Sequence, residues 1–184
     1  IYSLWGILVK IDMKCFEEEI CMADMDLSKF EKKIVLRNIE EKDIDEIIEL
    51  ALVCFPNMKP WTKEQLRSHL RYFPEGQFCI EYEDKIIGSC SSLIVNFDEY
   101  DVQHTWDEIT DKGYIRNHDP KGYNLYGIEV MVHPEYRRMK IGRRLYDARK
   151  DLAVRLNLKS IVIGGRIPNY HKYSEEMTPR EYVE

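Results

Sequence analysis

The sequence predicts an α/β domain of the α+β kind. A mixed central sheet has antiparallel strands in its N-terminal half and a parallel pair in its C-terminal half, with helices on its flanks. Three observations predict this. Tyr126 to Leu145 reads as an apolar strand, a basic turn and a helix, and a second apolar run, Lys159 to Gly165, follows that helix. Two strands joined in this way lie parallel, with a right-handed crossover. Gln77 to Val95 reads as a hairpin, and Ile34 to Phe55 as a strand that hands over to a helix.

A chain of 184 residues with 44% hydrophobic content is expected to form one domain with a sizeable core. Residues 25–184 are assigned to it. Residues 1–24 are read as an N-terminal extension of unassigned structure, because the chain begins at Ile1 while Met25-Asp26-Leu27-Ser28 looks like a natural start. The apolar run Ile1 to Ile11 is too short to span a bilayer and lacks a small-residue cleavage site after it.

Ile34 to Ile39 is β-rich, and Glu40-Glu41-Lys42-Asp43 supplies cap and first-turn charges for a helix. That helix sets Ile44, Ile47, Ile48, Ala51, Leu52 and Phe55 on one face, and Pro56 ends it. Thr62 and Gln65 form a capping box for the next helix, lined by Leu66, His69, Leu70 and Phe73. Gln77 to Tyr82 and Ile86 to Val95 flank the polar turn Glu83-Asp84-Lys85. From Asn96 to Gly122 the periodicity is lost, and acidic residues mix with Tyr100, Trp106, Tyr114, His104 and His118. The aromatic content favours a folded lid over a disordered loop.

In the central unit His133-Pro134 stops the strand, and Ile141, Leu145, Ala148, Leu152 and Leu156 then recur at helical spacing. Arg137, Arg138, Lys140, Arg143 and Arg144 crowd the helix start. That end of a helix disfavours cations and leaves N–H groups unpaired, so a bound phosphate or pyrophosphate resolves the conflict. Gly142 admits a close approach to the backbone. Near the C-terminus, Thr178-Pro179-Arg180-Glu181 is a capping box with proline at the first helical position. The helix it opens has about one turn of chain left, so the sequence reads as a C-terminally truncated fragment.

The net charge of −6 lacks the general footprint of a nucleic-acid binder, and a local cationic patch on an acidic chain favours a small anionic ligand. Cys15, Cys21, Cys54, Cys79 and Cys90 are odd in number and scattered. This argues against a disulfide framework or a zinc site and for reduced, cytoplasmic thiols. Cys90 reads as a buried small hydrophobe rather than a nucleophile. No spacing of His104, His118 and the neighbouring aspartates suggests a metal.

Val130-Met131-Val132, His133-Pro134-Glu135-Tyr136 and Arg137-Arg138-Met139-Lys140-Ile141-Gly142 resemble the strand and coenzyme A signature, Arg/Gln-x-x-Gly-x-Gly/Ala, of the GCN5-related N-acetyltransferase (GNAT) family. Lys140 stands where the first signature glycine is expected. Thr105 to Thr110, Gly127 to Leu145 and Gly164-Gly165-Arg166-Ile167-Pro168-Asn169-Tyr170 look like a subgroup found in bacterial two-domain proteins, ahead of a carbon-nitrogen hydrolase domain of nitrilase type.

The resemblance implies a fold in which the parallel strands splay and the arm of acetyl-CoA enters the gap. It also implies that a C-terminal helix and the last strands are missing here. The implied coenzyme contacts are Val130, Met131, Val132, Arg137, Arg138, Met139, Lys140, Ile141, Gly142, Arg143 and Asn169, with acetyl-CoA as co-substrate and no metal. The implied activity is N-acetyl transfer to a small-molecule or peptide amine by direct attack. The alternative is a non-catalytic acyl-CoA-binding domain that regulates its hydrolase. The expected partners are that amine and the hydrolase domain, with a homo-oligomer as an allowed assembly; nucleic acid and membrane are not among them. Trp61 and His69 are candidate acceptor contacts, against the simpler readings of a core tryptophan and a surface histidine. A lid carrying Asp107, Glu108 and Asp111 would suit a cationic amine.

An amine of ordinary pKa, roughly 10.4, must lose a proton before it attacks, so a base is expected. Glu129 is the carboxylate inside the strand, and burial would raise its pKa toward base work. In a regular strand Tyr126 and Ile128 share the face of Val130 and Val132 while Glu129 points away, unless a bulge turns it back; a paired or edge-exposed glutamate is an equal alternative. Tyr126 is then the polar group favoured by alternation, and Tyr173 or Tyr170 the candidate acid for the departing thiolate.

Overall fold

In the computed structural model, which describes residues 6–12, 34–100, 104–167 and 169–183, six strands form a single mixed sheet. They are Gly6–Asp12 (β1), Ile34–Asn38 (β2), Gln77–Tyr82 (β3), Lys85–Val95 (β4), Asn124–Val132 (β5) and Ser160–Arg166 (β6), arranged β1-β6-β5-β4-β3-β2. β2 to β5 pair antiparallel in sequence, and β5 and β6 are parallel, as the crossover pattern requires. β1 adds to the far side of β6, antiparallel, with Gly6 opposite Arg166 and Asp12 opposite Ser160. The leading segment, which the sequence left without an assigned structure, therefore contributes an edge strand. Cys15, Cys21, the Met25 start and Pro168 lie outside the described residues.

The helices are Ile44–Cys54 (α1), Lys63–Tyr72 (α2), Trp106–Ile109 (α3), Ile141–Arg155 (α4) and Pro179–Val183 (α5). Alternation along the strands sorts the core into two layers. Cys79, Ile86 and Met131 pack with α1, while their neighbours Phe78, Ile80, Ile87, Val130 and Val132 join the cluster that holds Ile141, Leu145 and Leu152 of α4. The α1–α2 pair thus covers one face and α4 the other. At Gly88 a β-carbon would come within 2.8 Å of Ile141 Cγ2, so the glycine lets α4 close onto the sheet.

Local chemistry sets the boundaries. Asp43 precedes α1 and ties it to β2, accepting from Arg37 at 2.6 and 3.0 Å and from the Glu40 N–H at 2.8 Å. Burial works against ionising Asp43, but the Arg37 guanidinium and that N–H outweigh it and hold the carboxyl below its usual range. Thr62 and Gln65 cap α2 reciprocally, at 3.2 and 2.9 Å, and Thr178 and Glu181 do the same before α5, both as expected. Glu83 and Asp84 turn the hairpin with φ of 50° and 59°, the mirror-image turn that matches strand twist.

Two helix faces differ from the expected ones. α1 buries Leu50 beside Ile47 and Ala51, and Leu52 is 47% exposed, because positions three and four after Ile47 face inward and the fifth does not. On α4 the buried stripe takes in Arg149 and Ala153, while Leu156, past the last turn, faces solvent.

The aperiodic stretch between β4 and β5 is folded. A 3-10 turn spans Phe97–Glu99, Thr105 and Glu108 cap α3, and Ile109, Thr110 and Ile115 are buried. Trp106 packs on Trp61 at 5.7 Å between ring centroids, so the segment rests against the start of α2. Among the described residues no helix is long and apolar enough to cross a membrane.

Candidate active site

β5 and β6 stay paired from Asn124 opposite Ser160 to Gly127 opposite Ile163 and then part. At the parting β5 carries a bulge. Ser91 of β4 faces Glu129 and Ser92 faces Gly127, so Ile128 is the extra residue. This corrects the regular alternation: past the bulge Val130 and Val132 share the α4 face with Gly127, and Glu129 shares the α1–α2 face with Tyr126. The expectation that Tyr126 lies with Val130 and Val132 fails for that reason.

Glu129 is half-buried, with its carboxyl turned toward β4. Oε1 accepts from Ser89 Oγ at 3.3 Å, and Oε2 is shielded from solvent with no hydrogen-bond partner. Burial pushes the carboxyl up to about 8, against the pull of Arg149 and of the Ser89 and Ser91 hydroxyls. Among the described residues Glu129 makes no ion pair, and its hydrogen-bond partner is Ser89. Tyr126, 4% exposed, lies under the folded segment with its ring 6.1 Å from His104 and 6.4 Å from Phe97. Burial raises its phenol above the ordinary value, and its hydroxyl is 3.6 Å from where a β-carbon on Gly164 of β6 would stand. Trp106 closes the bulge from the same side, its indole N–H donating to Ile128 O at 3.4 Å.

At the other end of this half-strand sits the basic turn. A 3-10 run, Pro134–Met139, leads into α4 through Lys140, which is left-handed (φ 56°, ψ 22°) and gives no side-chain cap. A left-handed residue with a β-carbon costs roughly 1–2 kcal/mol, a conformation that glycine adopts freely. The first N–H groups of α4 have no intrahelical acceptor, and Arg137, Arg138, Lys140 and Arg143 are exposed around them. Gly142 is not required by packing, since a β-carbon there would touch Val132 Cγ2 at 3.8 Å, an ordinary contact. Its bareness leaves room for a ligand. From Val132, beside Gly142, to Glu129 the strand covers about 10 Å, so one extended ligand can reach from the cationic turn to the carboxyl.

Other candidates fall elsewhere. Tyr173 lies on an exposed turn with its ring 5.5 Å from Tyr182, and the Tyr170 hydroxyl donates to Met177 O at 2.8 Å. Neither contact brings a tyrosine of this turn to the parting of the strands. Asn169, left-handed and exposed, follows β6. His69 is not a surface residue: it is 1% exposed, Nε2 lies 2.8 Å from Gly113 O, and burial lowers its pKa to about 4. Trp61 packs edge-on against it at 5.0 Å. Asp107, Glu108 and Asp111 line an open cavity that also holds Lys112 and Arg116, and Arg116 Nη2 donates to Asp111 at 3.0 Å, so the acidic face is partly balanced. Burial raises the Cys90 thiol to about 11, in keeping with a packing role. Among the described residues no cluster of His, Cys, Asp or Glu could hold a metal ion. The sequence reading missed Arg149, although its spacing from Leu145 and Leu152 put it on the inward stripe.

The sequence model of the acetyltransferase (GNAT) family matches residues 44–173. The probable hydrolase YhcX of Bacillus subtilis (strain 168) is 74% identical over 160 residues, which cover 87% of this chain and 31% of that protein; the chain therefore spans under a third of that relative. The uncharacterized N-acetyltransferase YkwB of the same organism is 42% identical over 160 residues, 85% of this chain and 70% of that one. Among solved structures, the GphF GNAT-like decarboxylase in complex with isobutyryl-CoA superposes with a TM-score of 0.63 at 19% identity, over 81% of this chain and 75% of that one. At that identity the likeness shows the fold.

Proposed function

The chain belongs to the acetyltransferase (GNAT) family, and on that premise we propose that it is an acyl-CoA-dependent N-acyltransferase that moves an acetyl group from acetyl-CoA to an amine by direct attack. The observation that carries this reading is the arrangement along one half-strand. An uncapped, cation-ringed helix start with a packing-free Gly142 stands at one end, and Glu129, with one carboxyl oxygen shielded from solvent, at the other.

The residues present fit the co-substrate. The first N–H groups of α4 with Arg137, Arg138, Lys140 and Arg143 would hold its diphosphate, and the main chain of Val130, Met131 and Val132 would hold the arm, flanked by Met139 and Asn169; Ile141, whose side chain is fully buried in the core, has only its main-chain N–H to offer. Acetyl-CoA supplies a thioester carbonyl open to a neutral amine. Glu129 takes the amine proton, its raised pKa matching the task. A strand N–H between Val130 and Val132 donates to the carbonyl oxygen as charge develops there. The Tyr126 hydroxyl, beside Gly164 at the parting, returns a proton to the departing sulfur; the positions of Tyr170 and Tyr173 make them weaker candidates. A neighbour of this fold is described with isobutyryl-CoA, which supports an acyl-CoA carrier.

A second reading is favoured by one comparison: a relative named a probable hydrolase is 74% identical to this chain, which spans 31% of it. On that reading the domain binds acyl-CoA without turnover and regulates a hydrolase partner. Calorimetric titration with acetyl-CoA, then thiol release measured across a panel of small amines and peptides, separates the two. Binding with release supports transfer, binding without release across the panel supports regulation, and no binding removes both.

A further inference from the structure

Arg149, in the third turn of α4, is fully buried at 0% exposure. A guanidinium taken out of water must be compensated, and apolar residues of similar volume usually stabilise a helix–sheet interface at least as well. Its compensation comes from neutral oxygens. Nε donates to Ser92 Oγ at 3.0 Å, and Nη2 donates to Ser91 O at 3.0 Å and to Glu129 O at 2.9 Å, while the Tyr146 ring lies 5.5 Å away.

The placement of those oxygens identifies the role. Ser91 and Ser92 are the residues between which the β4–β5 register slips, and Glu129 follows the extra Ile128. One side chain therefore grips both strands across the irregularity, where ladder bonds are lost. Gly127 makes room for it, since a β-carbon there would stand 2.9 Å from Arg149 Nη1. Nη1 itself is buried without a hydrogen bond.

We propose that Arg149 is a positioning residue for acyl transfer: from inside α4 it locks the bulge at Ile128, so that Glu129 is turned onto the face of Tyr126 at the parting of β5 and β6. This rests on the reading of Glu129 as the base. Facing the Glu129 side chain are Ser89 and Ser91 from β4 and Cys54 from the end of α1, while Arg149 lies on the α4 side of the sheet with Cys90 and reaches Glu129 through its main-chain carbonyl. From there its positive charge also favours the ionised carboxylate against the burial.

The test is the titration of the Glu129 carboxyl by carbon-13 NMR, with acetyl-CoA affinity measured alongside, in the native chain and in the Arg149→Met, Arg149→Lys and Gly127→Ala variants. The native carboxyl is expected to titrate well above the ordinary carboxylate range. Arg149→Met should raise its midpoint by roughly one pH unit and leave acetyl-CoA affinity within about twofold. Arg149→Lys should restore most of the midpoint. Gly127→Ala, which keeps the charge but crowds the guanidinium, should shift the Glu129 signal and its midpoint, and it carries the test if Arg149→Met does not fold. A native Glu129 that titrates as an ordinary carboxylate overturns the base reading, and the proposal with it. A native Glu129 with the high midpoint, unmoved in Arg149→Met and in Gly127→Ala, overturns the role of Arg149 and leaves the base reading standing.

Discussion

Glu129 and Tyr126 project from the same face of β5, although a regular strand would set them on opposite faces. The extra residue, Ile128, restores the coincidence, and with it a carboxyl and a phenol share one face of the strand.

The pH dependence of transfer follows from Glu129. A base acts when ionised, so the rate should rise with pH through an apparent midpoint near 8, the value to which burial pushes this carboxyl. Stability should run the other way. The folded carboxyl holds its proton more tightly than the unfolded one at 4.5, so native stability declines as pH rises from that value through about 8. Glu129→Gln should remove the decline in a denaturation series and lower the rate by about 10²-fold or more.

Gly142→Ala separates binding from folding. The added β-carbon meets an ordinary 3.8 Å contact with Val132, so thermal denaturation should change little. Acetyl-CoA affinity, read by calorimetry, should fall about tenfold as the methyl intrudes on the ligand's approach, a loss of about 1.4 kcal/mol.

Lys140→Gly should stabilise the chain by about 1 kcal/mol. It relieves a left-handed residue with a β-carbon at φ 56° and removes a cation from a helix N-terminus. Acetyl-CoA affinity should drop at low salt and approach the native value at high salt, because the lost contribution is a screened charge.

His69 should dominate the acid side of the stability curve. Burial depresses its pKa to about 4 from 6.5, so the unfolded chain takes up a proton first, and stability is lost as pH falls from 6.5 toward 4. His69→Leu should flatten that limb. It should also cost roughly 1–3 kcal/mol at pH 7, because Gly113 O loses its partner.

Much of the fold was legible because periodicity marks which face of an element is buried. The hairpin, the strand–turn–helix–strand unit and both capping boxes appear where the residues place them. The cationic turn was legible for a related reason, since charges that conflict with a helix end need a ligand to explain them. The bulge was not, because nothing in Tyr126-Gly-Ile-Glu-Val distinguishes a slipped register from a regular one. His69 was misplaced because its partner, Gly113, lies far along the chain in a segment without periodicity. Arg149 sat in plain view on the apolar stripe, but a charged side chain is ordinarily assigned outward, and the oxygens that hold it belong to two other elements.

Because β6 leaves β5 after Gly127, the strand from Ile128 to Val132 has a rim with no neighbouring strand among the described residues. Such a rim is a template on which sheets grow from one molecule into the next. A ligand lying along it would act as a stopper as well as a reactant, and the protein stored with acetyl-CoA should resist clumping longer than the same protein stored bare.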